Sequence, residues 1–396
     1  MPDLLQNHDD FIKAVQFAGM MNSLNAVEKP LDTYGPCWCG SGKKWKFCHK
    51  DRDKKASMSF GQIQAKSMKF YETGPCQHPS ASAESCSTPS SIQSHTIQRR
   101  GGLASIAENG HVYSTKKAFQ EIEKRQGQID MAKIGVAKAS TFPGFCSRHD
   151  TELFRPVEQA DSILDAWNGF LLSFRAVTYE LATKGAQLRS YIAMRDFIDY
   201  GQPFNQQAAI QNLLHHQQLG IQQGLEDVSG LKAMYDSAFL KQDLSGFSFY
   251  GIKFDQALPF AAAGAFMPEF DFSGKQLQRL GTGRTANQIA LNITRLGNAT
   301  CVGFGWFGGP NCAAAQLVQS FKALPDTDKS NAVLILSMEH LENFFCTPSW
   351  WEGLSPQVSA RLHEKIAGGL PTRSPTALVE TGMRVVSGEI ESIFEI

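Results

Sequence analysis

Three features of the sequence predict an α+β protein. Six of the nine cysteines lie in the first 146 residues, most of them close to a histidine. Apolar residues then recur every three or four positions from about 159 to 240, and beyond 245 short runs rich in aromatic and β-branched residues take over. The plan is small Cys/His-rich modules at the N-terminal end, then a helical segment, then a mixed α/β C-terminal domain. With 396 residues, the chain has room for two or three domains and at least one sizeable core.

In chain order, residues 1–34 carry a leading helix. Phe11, Ile12, Val15, Phe17, Met20 and Met21 follow helical spacing over 9–27 behind an Asp cap signal. Residues 35–50 form a Cys-rich knot, 51–75 a polar, basic linker, and 76–158 a second Cys/His segment with the Ser-rich loop HPSASAESCSTPSSIQS. The region 159–245 is helical: Ile163, Leu164, Trp167, Phe170, Leu171, Phe174 and Val177 mark one buried face. Ile210, Leu214, Ile221, Leu225 and Val228 mark another among many glutamines over 205–240. That second face predicts an intrachain bundle, with a homo-oligomer through the helical region as the alternative. In the α+β domain 246–396, FSFYGIKF, ATCVGFGWF and NAVLILSM read as strands, with a helix over 312–323 between the last two.

Formal charge balances to zero but is segregated. Residues 1–155 carry 21 Lys and Arg against 15 Asp and Glu, a net of +6, and the remainder is correspondingly acidic. A basic front half favours an acidic partner. The first residues are acidic with no long apolar run behind them, and Asp165, Arg175 and Glu180 interrupt the apolar stretch 163–182. No membrane partner is therefore expected, and the cytoplasm is the default compartment. In a reducing compartment, clustered cysteines read as metal ligands, whereas Cys301, Cys312 and Cys346 read as small buried hydrophobes.

The stretch GPCWCGSGKKWKFCHK places Cys37, Cys39, Cys48 and His49 within one short loop. Three thiolates and an imidazole are a complete tetrahedral set for zinc, and Gly40-Ser41-Gly42 supplies an unhindered backbone for the tight turn. So small a loop has no core of its own, so metal binding supplies its folding energy and the module is local. The segment resembles the SEC-C zinc-binding motif through Cys37, Cys39, Gly40, Ser41, Gly42, Lys43, Lys44, Lys46, Cys48 and His49, with Trp45 in the usual aromatic position. That resemblance implies structural ligands and a partner-binding surface. Residues 43–55 hold seven Lys and Arg and two Asp, a net of +5, more than an anionic three-thiolate site requires. Lys43, Lys44, Lys46, Lys50 and Arg52 thus form the expected contact for nucleic acid or an acidic protein segment, with Trp38, Trp45 and Phe47 available for stacking.

The second segment offers Cys76 with Cys86 and Cys146 with His149, a further four-ligand zinc set in which His78 or His111 could replace one member. Between the pairs, His95, Asn109 and His111 follow the order of the His-Asn-His (HNH) metal-dependent nucleases, which this segment resembles. That resemblance implies His95 as general base, Asn109 as its orienting residue, and a Mg²⁺ or Mn²⁺ ion at the scissile phosphate. The chain departs from the pattern where a later histidine should hold the cation, for it has Lys116, Lys117 and Ala118 there. The expected function is zinc-dependent macromolecular binding, and the alternative is an HNH-like endonuclease using His95. Gly303, Gly305 and Gly308 spell G-x-G-x-x-G, but Trp306 and Phe307 obstruct a phosphate, so a β-turn or hairpin is expected there instead.

Overall fold

The computed structural model describes residues 32–115, 131–159, 161–280, 285–297, 299–368 and 383–396. The leading helix expected over 9–27, and Lys116–Ala118, lie outside the described residues. Helix α1 (Phe60–Met68) is followed by strands β1 (Gln93–His95), β2 (His111–Thr115), β3 (Met131–Gly135) and β4 (Thr141–Pro143). Helices α2 (Ser147–Glu158), α3 (Ala166–Met194) and α4 (Phe204–Lys241) come next. Then come β5 (Phe247–Phe254), β6 (Phe260–Phe266), β7 (Ile289–Leu296), β8 (Ala299–Phe307), α5 (Ala313–Lys322) and α6 (Asp326–His340). The chain finishes with β9 (Phe344–Cys346), α7 (Pro348–Glu352), α8 (Pro356–Gly368) and β10 (Ile390–Glu395). The protein is α+β.

Two compact units share this chain, and α3 and α4 each contribute residues to both. The first comprises the described residues up to Glu72 together with Lys184–Leu225. Its core joins Ile63 of α1, Met194 at the end of α3, Phe197 and Ile198 of the connection, and Ile210 and Leu214 of α4. Helix α1 interrupts what the composition suggested was a plain basic linker. It starts because Ser59 and Gln62 close a reciprocal capping box.

The second unit holds an eight-stranded antiparallel sheet in the order β10-β5-β8-β7-β6-β9-β2-β3 and a two-stranded ribbon, β1-β4. Strands β5 and β8 coincide with the two aromatic runs read from the sequence, and α5 lies inside the expected 312–323. Phe170 of α3 meets Phe247 of β5 edge-on at 5.4 Å, and Tyr235 of α4 meets Phe307 of β8 at 4.9 Å. Gly303 and Gly305 lie within β8, the second arm of the β7–β8 hairpin, as the hairpin reading expected. A Cβ on Gly303 would meet the Phe249 ring at 2.6 Å, and one on Gly305 would meet Ser173 Oγ at 2.1 Å. The glycines serve close packing.

The expectation for NAVLILSM is overturned, because it is the middle of helix α6. Residues Lys329–Met338 are all buried, so the segment is covered on every side and its apolar period distinguishes neither helix nor strand. Asp326 and Asp328 in the first turn, facing the positive end of the dipole, are the helix signal that decides it. Among the described residues, no helix is long and apolar enough to cross a membrane.

Candidate metal centres

The first cluster grows from a small hairpin. Pro36 bridges to Lys44, the Cys37 N–H donates to the Lys43 carbonyl at 2.9 Å, and the Trp45 N–H donates to the Gly35 carbonyl at 2.9 Å. Gly40 and Gly42, at φ 73° and 72°, take the left-handed positions that turn the chain. A 3₁₀ turn at Trp45–Phe47 then brings Cys48 and His49 back towards Cys37 and Cys39. His49 Nδ1 lies 3.2 Å from both Cys37 Sγ and Cys48 Sγ, and Cys39 Sγ lies 3.6 Å from Cys48 Sγ.

All four donor atoms are within 4.8 Å of one another. Zinc–sulfur and zinc–nitrogen bonds of about 2.3 and 2.0–2.1 Å give tetrahedral edges of roughly 3.8 Å between sulfurs and roughly 3.6 Å from sulfur to nitrogen. The cluster has that size and that chemistry. Hydrogen bonds among the three thiols push Cys37 up and Cys39 and Cys48 down from the usual thiol range. Three adjacent thiols cannot all ionise without a cation between them.

Behind the cluster stands a carboxylate the sequence did not single out. His49 Nε2–H donates to Asp199 Oδ2 at 2.9 Å, both side chains being buried. Arg52 Nη1 donates to Asp199 Oδ1 at 2.6 Å, and Gln211 Nε2 donates to Asp199 Oδ2 at 3.0 Å. Burial works to raise the Asp199 carboxyl, but the His49 hydrogen bond and the Arg52 charge hold it below the ordinary carboxylate range. Burial likewise works to lower His49, yet Asp199 and the neighbouring thiols bring it up to about 10. In the sequence Asp199 stands among Phe197, Ile198 and Tyr200 just before Gly201-Gln202-Pro203, with Asp196 three residues earlier, and nothing in that setting marks it out.

The second cluster is assembled from separate segments. Cys76 and Cys86 come from the loop before β1, Cys146 is the N-cap of α2, and His149 lies in its first turn. The Gln77 N–H donates to the Gly144 carbonyl and the Ile92 N–H to the Phe145 carbonyl, at 2.9 and 2.8 Å. These bonds draw the loop to the helix start. Cys76, Cys86 and Cys146 Sγ stand 3.4, 3.8 and 3.3 Å from His149 Nδ1, and the four donors again lie within 4.8 Å. Burial pushes the Cys76 thiol up to about 11. Burial also acts on Cys146, but the backbone N–H groups of His149 and Ser87 outweigh it and bring that thiol down to about 6.

His78 and His111 are not members. The His78 ring stacks on that of His149 at 4.0 Å and 6°, and its Nδ1 accepts from the Ser80 N–H at 3.1 Å. Desolvation and the nearby His149 and Lys232 charges hold it down at about 4. His111 is exposed at the start of β2, its Nδ1 bonded to the Asn109 carbonyl at 2.8 Å. Lys232 is buried and donates to the Gln77 carbonyl at 3.0 Å and to Asp236 at 2.5 Å.

Each member of the HNH-like trio has a local backbone partner or role of its own. His95 sits on the ribbon opposite Thr141, with Nε2 at 3.3 Å from the Val136 carbonyl. Desolvation lowers its pKa from the ordinary histidine value. Asn109 and Gly110, at φ 50° and 71°, are the two central residues of a hairpin turn closed by Glu108 and His111. Asn-Gly is the pair that such a turn demands, which explains Asn109 without a role in orienting His95. Arg52 also departs from expectation, because it is buried against Asp199 instead of facing a partner. Lys43 pairs with Asp196 at 2.9 Å, while Lys46 lies 4.9 Å over the exposed Tyr34 ring and 5.7 Å from that of exposed Phe47. Cys301 and Cys346 are buried as expected, whereas Cys312 is half-buried and caps α5, accepting from the Ala315 N–H.

Comparison of the chain with family models, with curated proteins and with solved structures finds no match.

Proposed function

We propose that this protein holds two structural zinc ions, one in each Cys₃His cluster, and acts by binding an acidic macromolecule, nucleic acid first, through the basic and aromatic face of the 35–50 loop. The donor geometry carries the metal reading: two sets of three thiols and one imidazole, each within 4.8 Å. Four protein ligands close the coordination sphere, which is the arrangement of a structural site and not of a catalytic one. The likeness of 35–50 to the SEC-C motif supports the partner-binding role. With Arg52 withdrawn into the interior, the contact residues are Lys43, Lys44, Lys46 and Lys50, beside exposed Tyr34 and Phe47.

Metal analysis of the purified protein tests the first half, and two zinc ions per chain are expected. One ion would remove a site, and none would remove the proposal. Binding to single- and double-stranded RNA and DNA across a salt series tests the second half. Each phosphate-pairing lysine replaced by glutamine should lower the log–log salt slope by about 0.7–0.9. Salt-insensitive or absent binding would transfer the role to an acidic protein segment. His95→Ala should leave binding unchanged, and Mg²⁺- or Mn²⁺-dependent cleavage that disappears with it would overturn the binding reading in favour of a nuclease.

A further inference from the structure

The first cluster does not end at its four ligands. An imidazole binds a metal through one nitrogen only if the proton sits on the other, and something must fix both that tautomer and the ring's orientation. Here Cys37 and Cys48 Sγ flank Nδ1, with Cys39 Sγ against Cys48, while Nε2 faces a carboxylate, which can only accept. Asp199 is itself fixed by Arg52 on one oxygen and Gln211 on the other. Arg52 is fixed in turn by the carbonyls of Cys48 and Arg195, both at 2.8 Å. Arg195 also donates to the Cys39 carbonyl, inside the ligand loop.

Every link of this chain is buried or half-buried, and it joins the ligand loop to the connection between α3 and α4, about 150 residues away in sequence. The charges are complementary as well. A Cys₃His site loaded with a divalent ion carries −1, Asp199 adds another negative charge, and Arg52 supplies the buried cation between them, 3.9 Å from Cys48 Sγ.

We propose that Asp199 is a positioning residue for the first metal site: it holds His49 in its ligating tautomer and, with Arg52, makes metal affinity at Cys37/Cys39/Cys48/His49 depend on the α3–α4 connection. This rests on the zinc reading above. The second site provides an internal control, since His149 meets a stacked His78 there.

Competition of the full-length protein with a chromophoric chelator measures both affinities, and Co²⁺ substitution reports ligand geometry through its d–d bands. Asp199→Asn keeps an acceptor but loses the charge. It should weaken the first site about 10–100-fold, shift the Co²⁺ bands of that site, and leave the second site unchanged. Asp199→Leu should weaken it further. Should that variant fail to fold, Asp199→Asn still decides the matter. First-site affinity within a factor of about three of wild type, with an unchanged Co²⁺ spectrum, would reduce Asp199 to a packing residue and overturn the proposal. Failure of the zinc reading looks different: Cys37→Ser would then leave the metal content of the wild-type background unaltered, and both proposals would fall together.

Discussion

The two Cys₃His clusters offer the same donors and are built in opposite ways. The first takes all its ligands from residues 37–49, one hairpin and one turn, and borrows its stiffness from a distant carboxylate. The second gathers ligands from 76, 86, 146 and 149 and ties its own loop to a helix start by backbone hydrogen bonds. One is a compact loop in need of support, and the other is a clasp between remote segments. The difference teaches where each proposed zinc ion should act: the first on the order of its loop and the helical connection behind it, the second on the fold of the unit that carries it.

Breaking the clasp should have the largest effect. By the chain-entropy argument for any cross-link, closing the chain from 76 to 149 is worth roughly 4 kcal/mol, against roughly 3 kcal/mol for closing 37 to 49. His149→Ala should therefore release one zinc, lower the main melting transition substantially, and expose the 73–92 loop to proteolysis. Cys37→Ser should also release one zinc but cost less. Its damage should spread past the ligand loop to the α3–α4 connection, which hydrogen exchange at residues 195–211 would record. If exchange rises only within 35–50, the first centre is a free-standing module. If Cys37→Ser costs more than His149→Ala, the comparison is reversed.

The short range of the first centre is also why it was legible. Ligand count, spacing and the two turn glycines all fall within sixteen residues, so no knowledge of the fold is needed to assemble them. The second centre was legible in its members but not in the choice among histidines, because exclusion of His78 depends on a ring stack and a backbone hydrogen bond that the fold creates. Asp199 and Arg52 could not be paired from sequence at all. One of two acids three residues apart, Asp196 and Asp199, and one arginine among seven clustered basic residues carry no spacing signal.

The same limit applies to Asn109, where a sequence order suggested chemistry and the backbone shows a turn. Its left-handed φ makes a graded prediction. Asn109→Gly should be neutral within a few tenths of a kcal/mol, whereas Asn109→Ala should cost about 1 kcal/mol in thermal or urea unfolding, with metal content unchanged in both. A loss of activity without loss of stability in Asn109→Gly would restore the orienting role.

The smallest expected effect is also the sharpest test of how the two histidine ligands differ. His49 is held by a charged acceptor on its free nitrogen, and His149 is covered by a parallel ring. A stacked aromatic contributes about 0.5–1.5 kcal/mol through its faces, and any flat ring supplies that. His78→Phe should thus keep two zinc ions per chain and move second-site affinity by no more than a few-fold. It gives up only the hydrogen bond from the Ser80 N–H to Nδ1. His78→Ala should weaken the site modestly more, since it removes the stack as well. Were His78 a ligand in exchange with His149, both substitutions would lower metal occupancy and His149→Ala would be partly rescued by His78. Chelator competition on these three variants separates a covering ring from a donor, and the geometry predicts the covering ring.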